Sequence, residues 1–542
     1  MHYIAMSLIL LTAVALGGVI GRLLPSRVPL PLVHIAVGAL LGAGLGVRIP
    51  LDPEIFFLLF IPPLLFLDGW RIPKGAFFRD LRPILTLAVG LVLFTVVGMG
   101  LFLQWLIPSM PAAMAFAVAA ILAPTDPVAL AAVRGSAPLP PRLRHLLQGE
   151  ALLNDAAALD IFRFAVAAVA TASFSLSETA LGFAWMVVAG VGTGAAVAFA
   201  CSGTLRGLVH LRAEDPGIQI LVSLLVPFAA YMGAEHLGGS GVLAAATAGI
   251  TTQYVSLHGP ELATTRMERD AVWNTVQDVL NGVIFVLLGG QLVQIVGQDL
   301  DGARHSAIAG NWTLLLYVMA ITAVLVLLRF VWVWASLYLS RMSREITSLR
   351  ERLLLVTVTA LAGVRGAVTL AGVLSLPILL PDGTAFPERH LAIVIAMGVI
   401  LASLLLGSFT LPGLVRQLRA APRLGEIGDE RAARQAAARA AIEKLEALRK
   451  GIRPGASDSD LAEEALGYLL GFYRRRLAAT EDEGERSRPL VRAQTEYHLA
   501  ALAAERDRLF RLRIERQIDD ELHRRLVLEV DLVEASLCVR DS

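Results

Sequence analysis

"AILAPTDPVALAAV" (Ala120–Val133) is an apolar run with two prolines and an aspartate at its centre. Pro124 and Pro127 flank Thr125 and Asp126, and each proline removes a backbone donor and crowds the carbonyl one turn back. A helix drawn through this stretch unwinds locally and leaves carbonyl oxygens free. At membrane depth, free backbone is tolerated only where it lines a cavity, and bare carbonyls there suit a small cation. A plain proline kink would leave the same pattern; the aspartate at the kink argues for a polar site instead.

The rest of the chain places this stretch at membrane depth. Of 542 residues, 56% are apolar, and the mean hydropathy is +0.65. Many runs approach or exceed the roughly 20 residues that cross about 30 Å of hydrocarbon. The expected fold is therefore an all-α polytopic membrane protein. A net charge of +1 gives no reason to expect a nucleic-acid partner, and two cysteines, Cys201 and Cys538, exclude a disulfide framework or a Cys-rich metal site. The opening run "MHYIAMSLILLTAVALGGVIGRLL" has no basic region before it and reads as a first span, not as a cleaved signal.

Thirteen spans can be drawn: about 3–24, 28–47, 51–69, 84–107, 112–133, 146–172, 179–203, 217–235, 238–254, 272–297, 311–339, 352–380 and 390–415. One alternate set of loops carries 17 Arg and Lys residues, among them Arg71, Lys74, Arg79 and Arg82; the other set carries Arg48, Arg304 and Arg389. By the positive-inside rule the N-terminus lies outside and the C-terminal tail in the cytoplasm. Composition changes at about 419, where a membrane domain (1–418) gives way to a tail (419–542) with 23 basic and 24 acidic residues. "DERAARQAAARAAIEKLEALRK" marks that tail as helical, and Phe510, Ile514, Ile518, Leu522 and Leu526 form an apolar stripe, the signature of an amphipathic helix packed on its neighbours.

Charge inside such spans is informative, because an ionisable group near the bilayer centre costs at least about 2.5–3.5 kcal/mol and so faces a cavity or a partner. The mid-span candidates are Asp126, Glu150, Asp155, Asp160, Arg163, Asp278, Arg329 and Arg365, with Asp68 and Glu235 nearer span ends. Span 12 holds "AGVRGAVTLAG", where Gly363 and Gly366 bracket Arg365 and weaken a second helix. "TDPVALA" (125–131) and "RGAVTLA" (365–371) share Val, Leu and Ala at equal offsets. Two interrupted spans in corresponding halves point to inverted repeats, spans 2–6 and 9–13, with a site at the midplane.

Span 6 contains "QGEALLNDAAALDIFRF" (148–164). Glu150 and Asn154 share a helix face, as do Ala151 and Asp155. Asp160 and Arg163, three apart, can pair along the helix, whereas Asp155 has no basic residue three or four positions away. A carboxylate that takes either a proton or a cation, never both, is the minimum chemistry for exchange.

These residues resemble the cation/proton antiporters of the NhaP and eukaryotic NHE type, the CPA1 branch. The resemblance covers roughly 5–415 and rests on an ordered set: "PPLLFLDGW" (62–70), "APTDPVA" (123–129), "GEALLND" (149–155), "GGSGVLAAATAGI" (238–250), "LNGVIFVLLG" (280–289) and "VRGAVTLA" (364–371). It implies an NhaA/NhaP-like fold with two interrupted crossing helices. Spans 5, 6, 11, 12, 13 and 4 form the core; spans 1–3 and 7–10 form a scaffold through which the protein pairs as a homodimer in the cell membrane. It also implies that Asp155 binds the ion and the proton, with Asn154, Thr125, Asp126 and Asp68 around it, and that Glu150 and Arg365 form a buried ion pair. Asn154 in the paired position implies one-for-one, electroneutral exchange, with Na⁺ or Li⁺ as cargo, no resident cofactor, no catalysis and possible regulation by the tail. Where the family often carries Ser, this chain has Ala151. K⁺/H⁺ exchange is the alternative within the class. An intramembrane aspartyl protease is the alternative outside it, but neither Asp126 in "PTDP" nor Asp155 in "LLND" has the Gly-x-Gly-Asp-like setting that such enzymes need.

Overall fold

The computed structural model describes residues 2–24, 28–45, 53–126, 141–171, 176–210, 215–256, 263–302, 311–339, 348–380, 383–419, 427–450, 459–481, 487–515 and short pieces beyond. Regular structure among them is helical, apart from one isolated β-bridge between Leu379 and Ala385. The chain divides into two compact units, Met1–Leu424 and Gly425–Ser542.

The first unit runs α1 (His2–Leu23), α2 (Leu30–Leu45), α3 (Pro53–Arg71), α4 (Lys74–Arg79), α5 (Leu81–Leu106), α6 (Ala112–Leu122), α7 (Pro141–Thr171) and α8 (Leu176–His210). It continues with α9 (Pro216–His236), α10 (Gly241–Ser256), α11 (Ala263–Gly302), α12 (Asn311–Leu339), α13 (Leu349–Leu361), α14 (Ala367–Leu374) and α15 (Arg389–Arg419). Seven helices are individually long and apolar enough to cross a bilayer: those at 4–23, 81–106, 181–205, 216–236, 265–293, 312–336 and 389–417. The protein is an α-helical, multi-pass membrane protein.

Two groups of helices pack internally. In one, α2 lies along α11, α3 along α10, and α8 and α9 also flank α10. A Cβ on Gly38 would meet the Val286 carbonyl oxygen at 1.9 Å, so α2 and α11 touch backbone to backbone, the close packing that small residues allow between membrane helices. In the other group, α6 packs on α5 and α7, and α12 packs on α5, α13 and α15. A π-helical turn, Thr86–Gly90, interrupts α5, and Trp332 of α12 donates its indole N–H to the Thr86 carbonyl at 3.2 Å.

The helix expected over span 5 stops at Leu122, and Ala123–Asp126 continue without helical structure. Pro127 and most of "TDPVALA" lie outside the described residues. Span 12 divides in two, α13 and α14, separated by Ala362–Gly366. Both interruptions fall where the sequence places proline and glycine.

The second unit contains α16 (Ile427–Lys450), α17 (Ser459–Glu481) and α18 (Ser487–Ile514). Among its described residues, Ala438, Leu470, Leu502 and Val530 are the buried apolar side chains. Arg506 is held by Glu534 and Asp531, whose hydrogen bonds raise its pKa above the ordinary value and keep it ionised. The expected apolar stripe does not ride one continuous helix: α18 ends at Ile514, and Ile518 lies outside the described residues.

Candidate ion site

The two breaks meet. The Asp126 N–H donates to the Val364 carbonyl at 2.8 Å, tying one unwound segment to the other. Arg365 lies across both helix ends. Its Nε donates to the Leu122 carbonyl at 3.0 Å and its Nη1 to that of Gly363, while its own N–H is received by the Ser403 hydroxyl at 3.1 Å. The final carbonyls of a helix lack intrahelical partners and carry partial negative charge. The guanidinium sits over the end of α6 and the break after α13 and satisfies the Leu122 and Gly363 carbonyls there. Gly366 permits the crossing, since a Cβ there would sit 1.9 Å from Asp126 Oδ2.

This geometry corrects the expected pairing of Glu150 with Arg365. Glu150, fully buried on α7, receives two hydrogen bonds from Arg329 on α12, Nη1 to Oε1 at 2.5 Å and Nη2 to Oε2 at 2.9 Å. Arg329 Nε donates to the Thr359 carbonyl at 2.9 Å, so the pair binds α7, α12 and α13 together. Sequence reasoning marked Arg329 as a mid-span charge without giving it a partner. The available signal was its position as a lone cation in "AVLVLLRFVWVW", which demands a buried anion from another helix.

Beside this pair lies the site proper. The Asn154 amide donates to the Thr125 hydroxyl at 3.0 Å, and Thr125 Oγ1 makes a long 3.5 Å contact with Glu150 Oε1. Asn154 is thereby held with its Oδ1 turned away from Thr125. Asn154 Oδ1 and Asp155 Oδ1 are both buried without a hydrogen-bond donor. Native proteins rarely leave such acceptors bare, and each one calls for an explanation. Asp126, Asp68 and Glu150 lie within electrostatic reach of Asp155, and Asp68 lies within reach of Asp126 and Arg71. Thr125 and Asp155 are buried, whereas Asp126 and Asp68 are partly exposed. Among the described residues no three His, Cys, Asp or Glu side chains converge tightly enough to chelate a metal by themselves. The oxygens on offer are a mixed set of carboxylate, amide and hydroxyl, next to two unwound segments, which suits a weakly held monovalent cation better than a resident transition metal. Ala151 is buried and contributes no oxygen.

Two other sequence expectations change. Arg163 does not pair chiefly with Asp160; its Nη1 contacts Glu235 Oε1 of α9 at 2.9 Å, and Asp160 is hydrogen-bonded to Ser240. Asp278 is exposed on α11 and does not line the polar core.

Known proteins extend this picture. The family model for the transmembrane part of sodium/hydrogen exchangers matches residues 8–417. An uncharacterised Na⁺/H⁺ exchanger of Escherichia coli (strain K12) is 38% identical over 540 residues, 98% of either chain. A sodium, potassium, lithium and rubidium/H⁺ antiporter of Bacillus subtilis (strain 168) is 39% identical over 75% of this chain and 60% of its own. The sodium proton antiporter MjNhaP1 of Methanocaldococcus jannaschii superposes with a TM-score of 0.59 at 19% identity, covering 78% of this chain and all of that one, a likeness of fold. With crossed helix breaks around an Asn-Asp pair and a family match spanning three-quarters of its length, the chain belongs to the sodium/hydrogen exchangers, in the CPA1 branch of the cation/proton antiporters.

Proposed function

We propose that the protein exchanges Na⁺ or Li⁺ for H⁺, one for one, with Asp155 holding the proton and the cation in alternation. The observation that carries this reading is that two consecutive residues of α7 at the helix crossing, Asn154 and Asp155, each keep a buried, donor-free oxygen. Either a proton or a cation on Asp155 satisfies its bare oxygen, and a cation there draws on neighbouring neutral oxygens as well. Loss of H⁺ as Na⁺ arrives leaves the charge of the site unchanged, and the Glu150–Arg329 pair adds none, so a full cycle moves no net charge. Thr125 and Asp126 complete the shell, and Asp68, partly exposed nearby, joins it from the approach to the site.

The setting is the cell membrane, with the N-terminus outside, residues 419–542 in the cytoplasm and the α1–α3 and α8–α11 group forming the face of a homodimer. K⁺/H⁺ exchange is the second reading. Ala151 supplies no hydroxyl to tighten the shell, and the Bacillus subtilis relative is named for sodium, potassium, lithium and rubidium. In everted vesicles with a preformed ΔpH, Na⁺ and Li⁺ should dissipate the gradient, K⁺ more weakly, and Asp155→Asn should abolish the response. Equal activity in that variant removes Asp155 from the role.

A further inference from the structure

The exchange chemistry does not use Asp160, Arg163, Glu235 or Ser240, yet these four lie where the two groups of helices meet. Asp160 and Arg163 belong to α7, the helix that carries Asp155. Along that helix they stand about 7.5 and 12 Å beyond Asp155. Their partners are not on α5, α6 or α12, against which the ion site is built. Arg163 reaches Glu235 on α9, and the Tyr231 hydroxyl, also on α9, hydrogen-bonds the same guanidinium. Asp160, almost fully buried, takes a hydrogen bond from Ser240, in the turn between α9 and α10.

The receiving side is built as a rigid socket. Gly238, at a φ of 67°, ends α9 in the left-handed conformation, and Gly239 N–H returns to the Ala234 carbonyl at 2.8 Å. Glu235 Oε1 also accepts the Gly241 N–H at 3.3 Å. Ser240 N–H donates to the Met186 carbonyl of α8 at 3.0 Å, and Trp185 Nε1 to that of Leu237 at 3.1 Å. The socket is fixed to α8, α9 and α10, while the two side chains that enter it ride on the helix holding the ion site.

We propose that Arg163–Glu235 and Asp160–Ser240 form a two-point latch between the ion-site helices and the α8–α10 scaffold, one that each transport cycle opens and recloses. This rests on the exchange reading above. The polar contacts suit such a role: a partly exposed ion pair where the two groups of helices meet can part and re-form, and the buried hydroxyl–carboxylate contact fixes one register when closed. Arg163, Glu235, Asp160 and Ser240 are positioning residues, acting on Asp155 through α7.

A latch favours one of two conformations, so weakening it shifts their populations, and apparent affinity scales with the fraction that can bind from a given face. In the full chain, Glu235→Gln/Ser240→Ala should raise the apparent KM for Na⁺ measured from one face of the membrane by about threefold to tenfold and lower it from the other. Everted and right-side-out vesicles supply the two faces. Movement in the same direction on both faces, or a change in Vmax alone, marks a merely structural role and overturns the latch. Ser240→Ala alone carries the same comparison if the double variant does not assemble.

A second arm uses Arg163→Cys/Glu235→Cys in a Cys201→Ser/Cys538→Ser background, bridged by a short bis-methanethiosulfonate. Bridging should cut Na⁺-driven exchange more than tenfold, and reduction should restore it. Undiminished turnover in bridged protein overturns the proposal. Absence of cation-driven ΔpH dissipation in the unmodified protein would instead remove the exchange reading.

Discussion

Arg329 closes both terminal nitrogens of its guanidinium on the Glu150 carboxylate, at 2.5 and 2.9 Å, in a site where both side chains are almost wholly excluded from solvent. Taking two charges out of water is expensive, and such a pair is maintained only if neither partner is left alone. Removing one partner from a buried pair costs about 3–5 kcal/mol, whereas replacing both can be nearly neutral. Glu150→Gln and Arg329→Met should therefore each lower the melting temperature in detergent sharply, and the double variant should recover much of the loss. Additive losses would show that the two side chains act separately.

Arg365 performs different work and calls for a different test. Its bonds go to the carbonyl of Leu122, the last residue of α6, and to that of Gly363 in the break after α13, so its removal leaves these carbonyls unsatisfied and Glu150 still paired with Arg329. In an Arg365→Met background, Glu150→Gln should destabilise as much as it does alone. In an Arg329→Met background the same substitution should be relieving. Thermal stability of the four combinations separates these outcomes.

The crossing also depends on Gly366. A methyl group there would overlap Asp126 Oδ2 at 1.9 Å, next to backbone tied by the Asp126–Val364 hydrogen bond. At Gly363 a Cβ would meet Arg329 Cδ and Nε at 2.9 and 3.0 Å and the Ala360 carbonyl oxygen at 3.3 Å, tight contacts but far short of the overlap at Gly366. Gly366→Ala should abolish Na⁺-driven exchange, and Gly363→Ala should leave a measurable rate. Overpacking of this kind costs typically about 1–3 kcal/mol. Equal exchange in the two variants would show that the Asp126–Gly366 approach does not matter for transport.

How much of this was legible in the sequence follows from what sequence can encode. Pro124 and the Gly363/Gly366 pair are local signals, and each interrupts its helix within a few residues of where it stands. Asn154 and Thr125 carry no local signal of meeting; their resemblance to a family motif brought them together, and the 3.0 Å hydrogen bond shows how. Partner choice among buried charges was not legible. Helical spacing offers Asp160 to Arg163, but it says nothing of Glu235, 72 positions away, which takes the guanidinium. Arg365 and Arg329 both stand in apolar spans, and only the crossing shows that one faces carbonyls and the other a carboxylate.

If one carboxylate takes Na⁺ or H⁺ but not both, the two compete. Where Asp155 is mostly protonated in the absence of Na⁺, each further unit fall in pH should raise the apparent KM for Na⁺ by about tenfold, with Vmax at saturating Na⁺ unchanged. At higher pH the dependence should flatten, because there is no proton left to displace. Initial rates of Na⁺-driven proton movement across a series of fixed pH values would measure this. A KM independent of pH across the active range would mean that proton and cation occupy separate groups.

Charge balance gives the last test. Asn154 donates its amide N–H to Thr125 and offers Asp155 a neutral neighbour. Asn154→Asp removes that donor and places a second carboxylate beside the first. Such a site can load two protons on one side and a single Na⁺ on the other, so exchange should then move net charge and respond to membrane potential. The unmodified protein, with one titrating carboxylate, should be insensitive to potential. In proteoliposomes, a valinomycin-imposed potassium diffusion potential should accelerate Na⁺-driven proton flux in Asn154→Asp and leave the rate in the unmodified chain within error. A response of equal size in both would show that Asn154 does not set the stoichiometry, and that a second group, with Asp126 and Asp68 the nearest candidates, already titrates during the cycle.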